Sequence, residues 1–106
     1  MIVRVTTARV KPGEANRFNA LMREQLPVLR AQPGLVYVKL ARRFEPDGIQ
    51  EVVLFEEWRD PQAVYGWAGP DISKPRLLPG SEELLTDVTI AHYEALDFEG
   101  REASPG

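Results

Sequence analysis

Cysteine is missing from this 106-residue chain, and histidine occurs once. Without thiols there can be no disulfide framework, no thiolate metal site and no cysteine nucleophile. One imidazole cannot build a histidine-rich metal cluster within a single chain. Basic residues are not in excess either: 13 Lys and Arg stand against 16 Asp and Glu, a net charge of −3, which argues against binding a phosphate backbone. No apolar run approaches the ~20 residues of a membrane span. The start, "MIVRVTTARV", alternates as a strand does and lacks the basic segment and apolar run of a signal peptide. A glycine-rich phosphate loop, a Ser-His-Asp set and metal-ligand spacing are all missing. The expectation is one cytoplasmic domain without metal or cofactor, membrane segment or nucleic-acid partner, large enough to bury a core unaided.

What is present is a clear succession of patterns. Ile2, Val3, Val5 and Val10, set among Thr and Arg, predict a first strand over 2–10. "KPGE" breaks it and opens a helix in which Phe18, Leu21, Met22, Gln25, Leu26 and Leu29 recur in steps of three and four. Pro27 inside that pattern predicts a kink or the start of a last segment, and "QPG" at 32–34 ends it. "LVYVKLARRF" (35–44) and "IQEVVLFEEW" (49–58) predict a hairpin closed by "EPDG". Asp60 and Pro61 suit the cap and first turn of a second helix. A proline-rich stretch over 69–85 ends in a short helix, "TDVTIAHYEAL" (86–96) predicts a fourth strand, and 98–106 reads as a polar, frayed tail. The order β-α-β-β-α-β is the ferredoxin-like arrangement, an α+β fold whose four-stranded antiparallel sheet carries both helices on one face.

An antiparallel sheet covered on one side normally has a polar second face. Here both faces are apolar: Val53 and Phe55 point one way while Val52, Leu54 and Trp58 point the other, and Leu35 and Tyr37 oppose Val36, Val38 and Leu40. Burying one such side chain is worth about 1.5–3 kcal/mol. A second copy covering the open face is the simplest solution, so a homodimer is expected; the other reading is a monomer with an apolar open sheet.

The segments "VRVTTARVKPGEANRFNAL" (3–21), "LPVLRAQPGLVYVKLAR" (26–42), "VVLFEEWRDPQAVYGWAG" (52–69) and "IAHYEAL" (90–96) together resemble the antibiotic biosynthesis monooxygenase family. The third, in which an aromatic closes a strand before D-P-x-A opens a helix, is the most specific of them. The resemblance covers residues 1–97 and implies the dimeric α+β barrel. It also implies a reaction in which an electron-rich aromatic meets dioxygen directly, without cofactor, in an apolar cavity between sheet and helices. Trp67, nine residues after Trp58, holds the position of a second-helix tryptophan that often borders that cavity in relatives, and residues 69–80 are expected to cover it. The haem-degrading branch of the family would need a histidine near Leu77 and an asparagine at Thr6. Leu77 has no ligand atom and its neighbour is Arg76, so that reaction is not expected.

The candidate site residues follow. His92 is the one side chain whose ordinary pKa suits proton transfer near neutrality, and it shares a strand face with Val88 and Ile90. The plainer reading, which comes before that of a catalytic base, is a core or interface histidine satisfied by one hydrogen bond. Trp67 reads as a pocket wall and as a core aromatic. Thr6 offers a hydroxyl but is also an ordinary strand residue. Arg76 could recognise a carboxylate or phenolate at the pocket mouth, or be a solvated arginine. Tyr65 is expected on the surface, and Glu56 and Glu57, pointing to opposite faces, are read as rim charges. The leading function is oxidation of a small aromatic, quinol-like or polyketide-like molecule; the alternative is a non-catalytic dimeric binding or accessory protein.

Overall fold

The computed structural model describes residues 1–76 and 80–96. Leu77 and the tail from residue 98 lie outside them. Strand β1 spans Ile2–Val10, helix α1 Ala15–Arg30, β2 Leu35–Phe44, β3 Gln50–Trp58, α2 Pro61–Ala68 and β4 Leu85–Glu94, with a single 3₁₀ turn at Glu82–Leu84. The four strands form one antiparallel sheet in the order β2-β3-β1-β4. This is the ferredoxin-like βαββαβ arrangement that the order of patterns predicts.

Turn chemistry explains the element boundaries. In the β2–β3 hairpin the Asp47 carboxylate accepts from the Ile49 N–H at 3.0 Å, and Gly48 takes a φ of 85° that side chains resist. At α2 the extended Asp60 caps the helix by accepting from the Ala63 N–H at 2.9 Å, and Pro61 opens the first turn. Helix α1 runs continuously through Pro27 to Arg30, so Pro27 does not end it. Pro27 is exposed, so the carbonyl it leaves unbonded, that of the exposed Arg23, can turn to water.

Gly34 joins α1 to β2 at φ 87°, and a Cβ there would stand 2.5 Å from that of Ala63. Gly34→Ala is therefore expected to destabilise the fold by more than about 1–2 kcal/mol, the usual left-handed penalty, because the α2 clash adds to it. Urea unfolding of Gly34→Ala with and without Ala63→Gly checks this: the second change should recover only the clash.

Two apolar clusters fill the space between sheet and helices. One gathers Ala8, Val10, Phe18, Met22, Val52, Leu84 and Leu85. The other gathers Leu29, Trp58, Val64 and Trp67. Leu35 packs against this second cluster, which corrects its expected pairing with Tyr37 on one face. A register shift between Leu35 and Tyr37 turns Leu35 inward while leaving Val36 and Tyr37 exposed. The uncovered sheet face carries Val3, Val5, Val53 and Ala91, half-buried, beside exposed Phe55, Tyr37 and Tyr93.

Candidate functional site

Between the two clusters the helix-facing side of the sheet holds a row of charge. Register places Glu56 on β3, Arg4 on β1 and His92 on β4 side by side. Arg4 is 1% exposed and Glu56 2%. Glu56 is thus no rim charge: it shares the strand parity of Val52 and Trp58, and that parity faces the helices. Its Oε1 accepts from the Trp58 indole N–H at 3.0 Å and stands 3.7 Å from Arg4 Nε.

The Arg4 guanidinium is the hub. One terminal nitrogen donates to the Ile72 carbonyl at 2.8 Å and lies 2.9 Å from His92 Nε2; the other donates to the Lys74 carbonyl at 2.9 Å. Arg4 therefore ties the segment after α2 down onto the sheet. Burial pushes the guanidinium pKa down, partly offset by Glu56. Burial pushes the Glu56 carboxyl up, opposed by the Trp58 hydrogen bond and by Arg4. A guanidinium keeps its proton throughout the accessible range, so Glu56 is the member of the pair able to change charge.

Arg4 has only donors, so it fixes the state of the imidazole: neutral His92 accepts at Nε2 and carries its proton on Nδ1. Burial, followed by the Arg4 charge, holds the imidazole pKa below the usual 6.5. His92 borders a small apolar pocket of about 110 Å³ with Ile2, Val64, Tyr65 and Ile72. In it a neutral imidazole can offer a donor to an oxyanion. It can take up a proton at Nε2 only by giving up Arg4.

The sign of the pH dependence follows. Below 6.5 the unfolded chain protonates His92 while the folded chain resists, so this group's stabilisation is present above 6.5 and lost as pH falls through the folded midpoint. Glu56 works oppositely, its contribution shrinking as pH rises above 4.5. With one histidine in the chain, its NMR titration is unambiguous. A midpoint below 6.5 is expected, and one at or above 6.5 refutes this environment.

The other sequence-selected residues fall elsewhere. Trp67 is 4% exposed and stacks on Trp58, ring centroids 6.5 Å apart at 27°. It borders a different, wider cleft of about 530 Å³ on the side of α2 near Gly34. Arg76 lies over the Trp67 ring, Cζ 4.4 Å from its centroid, and donates to the Trp67 carbonyl at 2.9 Å. Thr6 lies on the helix-facing side opposite Leu54 and Ile90, half-buried, and lines neither cavity. Tyr65 is exposed and forms part of the His92 pocket rim. Trp67 and Arg76 thus stand together. His92 is joined to Trp67 through the polar row Arg4, Glu56 and Trp58, and through Val64, which lines the His92 pocket and packs in the Trp67 cluster. Of the expected cover, residues 72–76 are held by Arg4 and by Gln25, which donates to the Arg76 carbonyl at 3.3 Å; residues 77–79 lie outside the described residues.

Sequence reading missed Arg4 and Glu56. Both occupy the buried parity of their strands, and that was the available signal. Among the described residues no three His, Cys, Asp or Glu side chains gather as a metal site, and no helix is long and apolar enough to cross a membrane.

The order of elements and the single antiparallel sheet define a small ferredoxin-like α+β domain with both helices on one face of the sheet. The family model for antibiotic biosynthesis monooxygenase matches residues 1–73, and the chain belongs to that family. Among solved structures it is similar to an antibiotic biosynthesis monooxygenase, at 23% identity over 91% of this chain and 99% of the other, TM-score 0.73. The protein PA3566 of Pseudomonas aeruginosa shares 22% identity over 90% and 93%, TM-score 0.69. Rv0793 of Mycobacterium tuberculosis shares 24% over 92% and 96%, TM-score 0.67. At such identities the likeness is one of fold. A comparison with curated proteins gave no match.

Proposed function

We propose that this protein oxidises a small electron-rich phenol, quinol-like or polyketide-like, with dioxygen and without a cofactor. The observation that carries the reading is His92, neutral, locked by Arg4 and facing an apolar pocket. Its Nδ1–H stabilises the phenolate and so eases loss of the phenolic proton. The phenolic proton passes to solvent, the phenolate gives one electron to dioxygen and the radical pair joins at ring carbon. The peroxide takes a proton back from solvent, and cleavage of the O–O and ring C–H bonds releases water and leaves the quinone. One oxygen atom enters the product and the other leaves as water, with every electron supplied by the substrate. Trp67 with Arg76 over its ring, and Thr6 on the sheet, stand outside the His92 pocket and would act on the reaction only by packing around it.

The working unit on this reading is a homodimer in which the open sheet faces of two copies cover Phe55, Tyr37 and Tyr93. Sedimentation equilibrium showing only monomer would remove that part. A second reading is a non-catalytic dimeric accessory protein, favoured by the small His92 pocket, which lies below the roughly 300–1,000 Å³ usual for ligand sites. Oxygen consumption with a catechol and hydroquinone panel separates the two. The enzyme reading expects turnover that drops at least about 100-fold in His92→Ala, whereas oxygen uptake no faster than without protein supports the accessory role.

A further inference from the structure

The wide cleft beside Trp67 is bordered by two glycines of different kinds. Gly34 is required by its backbone and by Ala63. Among the described residues nothing requires Gly66: it sits inside α2 with helical backbone, and a Cβ there would meet nothing within 4 Å. A glycine inside a helix costs about 1 kcal/mol relative to alanine. The space it leaves belongs to a cleft of about 530 Å³, within the range of small-molecule sites.

The rim carries both signs of charge. The exposed Arg59 has no partner for its guanidinium among the described residues, its backbone N–H alone being bonded, to the Gly34 carbonyl. Asp60 uses one oxygen to cap α2 and leaves the other uncommitted. These consecutive residues form no ion pair with each other. A simple anion at Arg59 would meet Asp60, and a simple cation at Asp60 would meet Arg59. A ligand carrying both charges a short distance apart satisfies each.

We propose that this cleft is a binding site for a free α-amino acid with an aromatic or large apolar side chain. Its carboxylate pairs with Arg59, its ammonium with Asp60, and its side chain occupies the space over Gly66 against Ala63 and the edge of Trp67. The proposal does not depend on the oxidation reaction, since neither His92 nor Arg4 borders the cleft.

Titration with L-phenylalanine, followed by tryptophan fluorescence and by calorimetry, tests it. Saturable binding is expected, with 3-phenylpropionate and phenethylamine each at least about tenfold weaker. Gly66→Leu should abolish binding while melting at the same temperature or higher, because leucine is the better helix former. Arg59→Gln should weaken L-phenylalanine about tenfold or more and leave phenethylamine unchanged. No saturation up to roughly 10 mM, equal binding of the singly charged probes, or full binding by Gly66→Leu each overturns the proposal. A shift of Gly66→Leu from dimer to monomer in sedimentation overturns it too, because a second copy would then be what fills the cleft.

Discussion

Replacing Arg4 with alanine is expected to lower the unfolding free energy by about 3–5 kcal/mol, the usual result of leaving one member of a buried ion pair alone. Total stabilities of single domains are about 5–15 kcal/mol, so this is a large part of what holds the fold. The loss has three sources: Glu56 is left buried without its cation, and the Ile72 and Lys74 carbonyls lose their donor. The last two predict a local effect as well. Hydrogen exchange over residues 71–76 should rise in Arg4→Ala even where the sheet stays protected. The His92 midpoint should also move up toward 6.5, because one of the two influences holding it down is gone.

The same physics predicts that Arg4 and Glu56 replaced together by Met and Leu cost less than the sum of the two single truncations, although the Ile72 and Lys74 carbonyls and the Trp58 indole still lose their partners. Both charges then disappear, and the desolvation that opposed their pairing goes with them. Glu56→Gln keeps an acceptor for the Trp58 indole at 3.0 Å but leaves the Arg4 cation buried without its anion, so it should cost stability even though the indole stays satisfied. If Arg4→Ala unfolds no more easily than wild type, the row is incidental to stability and its value to the protein lies in setting His92 alone.

These residues also show where the sequence was readable. Strands and helices were legible because their punctuation is local: Asp47 and Gly48 at the hairpin, Asp60 and Pro61 at α2. The face of His92 was legible from its parity with Val88 and Ile90. Its partner was not, since Arg4 lies 88 residues away and only the β1–β4 register brings the two opposite. Arg4 and Glu56, taken singly, look like polar spacers in apolar strands; two such interruptions of buried parity become a pair only when β1 and β3 are aligned. The inward turn of Leu35 depends on a register shift that no residue nearby announces. The separation of Trp67 from His92 depends on how α2 lies across the sheet, which tertiary packing decides.

Trp67 shows how burial can weigh two roles that residue type leaves open. As a pocket wall it should matter more to ligand than to fold; as a core residue, the reverse. At 4% exposed, with Trp58 stacked on it and Arg76 over its ring, Trp67→Ala is expected to cost about 3–5 kcal/mol of stability, the range for truncating a buried aromatic. Trp67→Phe keeps a ring in the stack and should cost clearly less. If Trp67→Ala is too unstable to study, the phenylalanine variant still decides the matter. Chemical unfolding of both, beside ligand titration of Trp67→Phe, gives the comparison. A loss of less than about 1 kcal/mol in Trp67→Ala, within the ordinary range of single substitutions, together with lost ligand binding would mark Trp67 as a wall. The expected order is the opposite, because the indole is packed on nearly every side and only its edge reaches the cleft over Gly66.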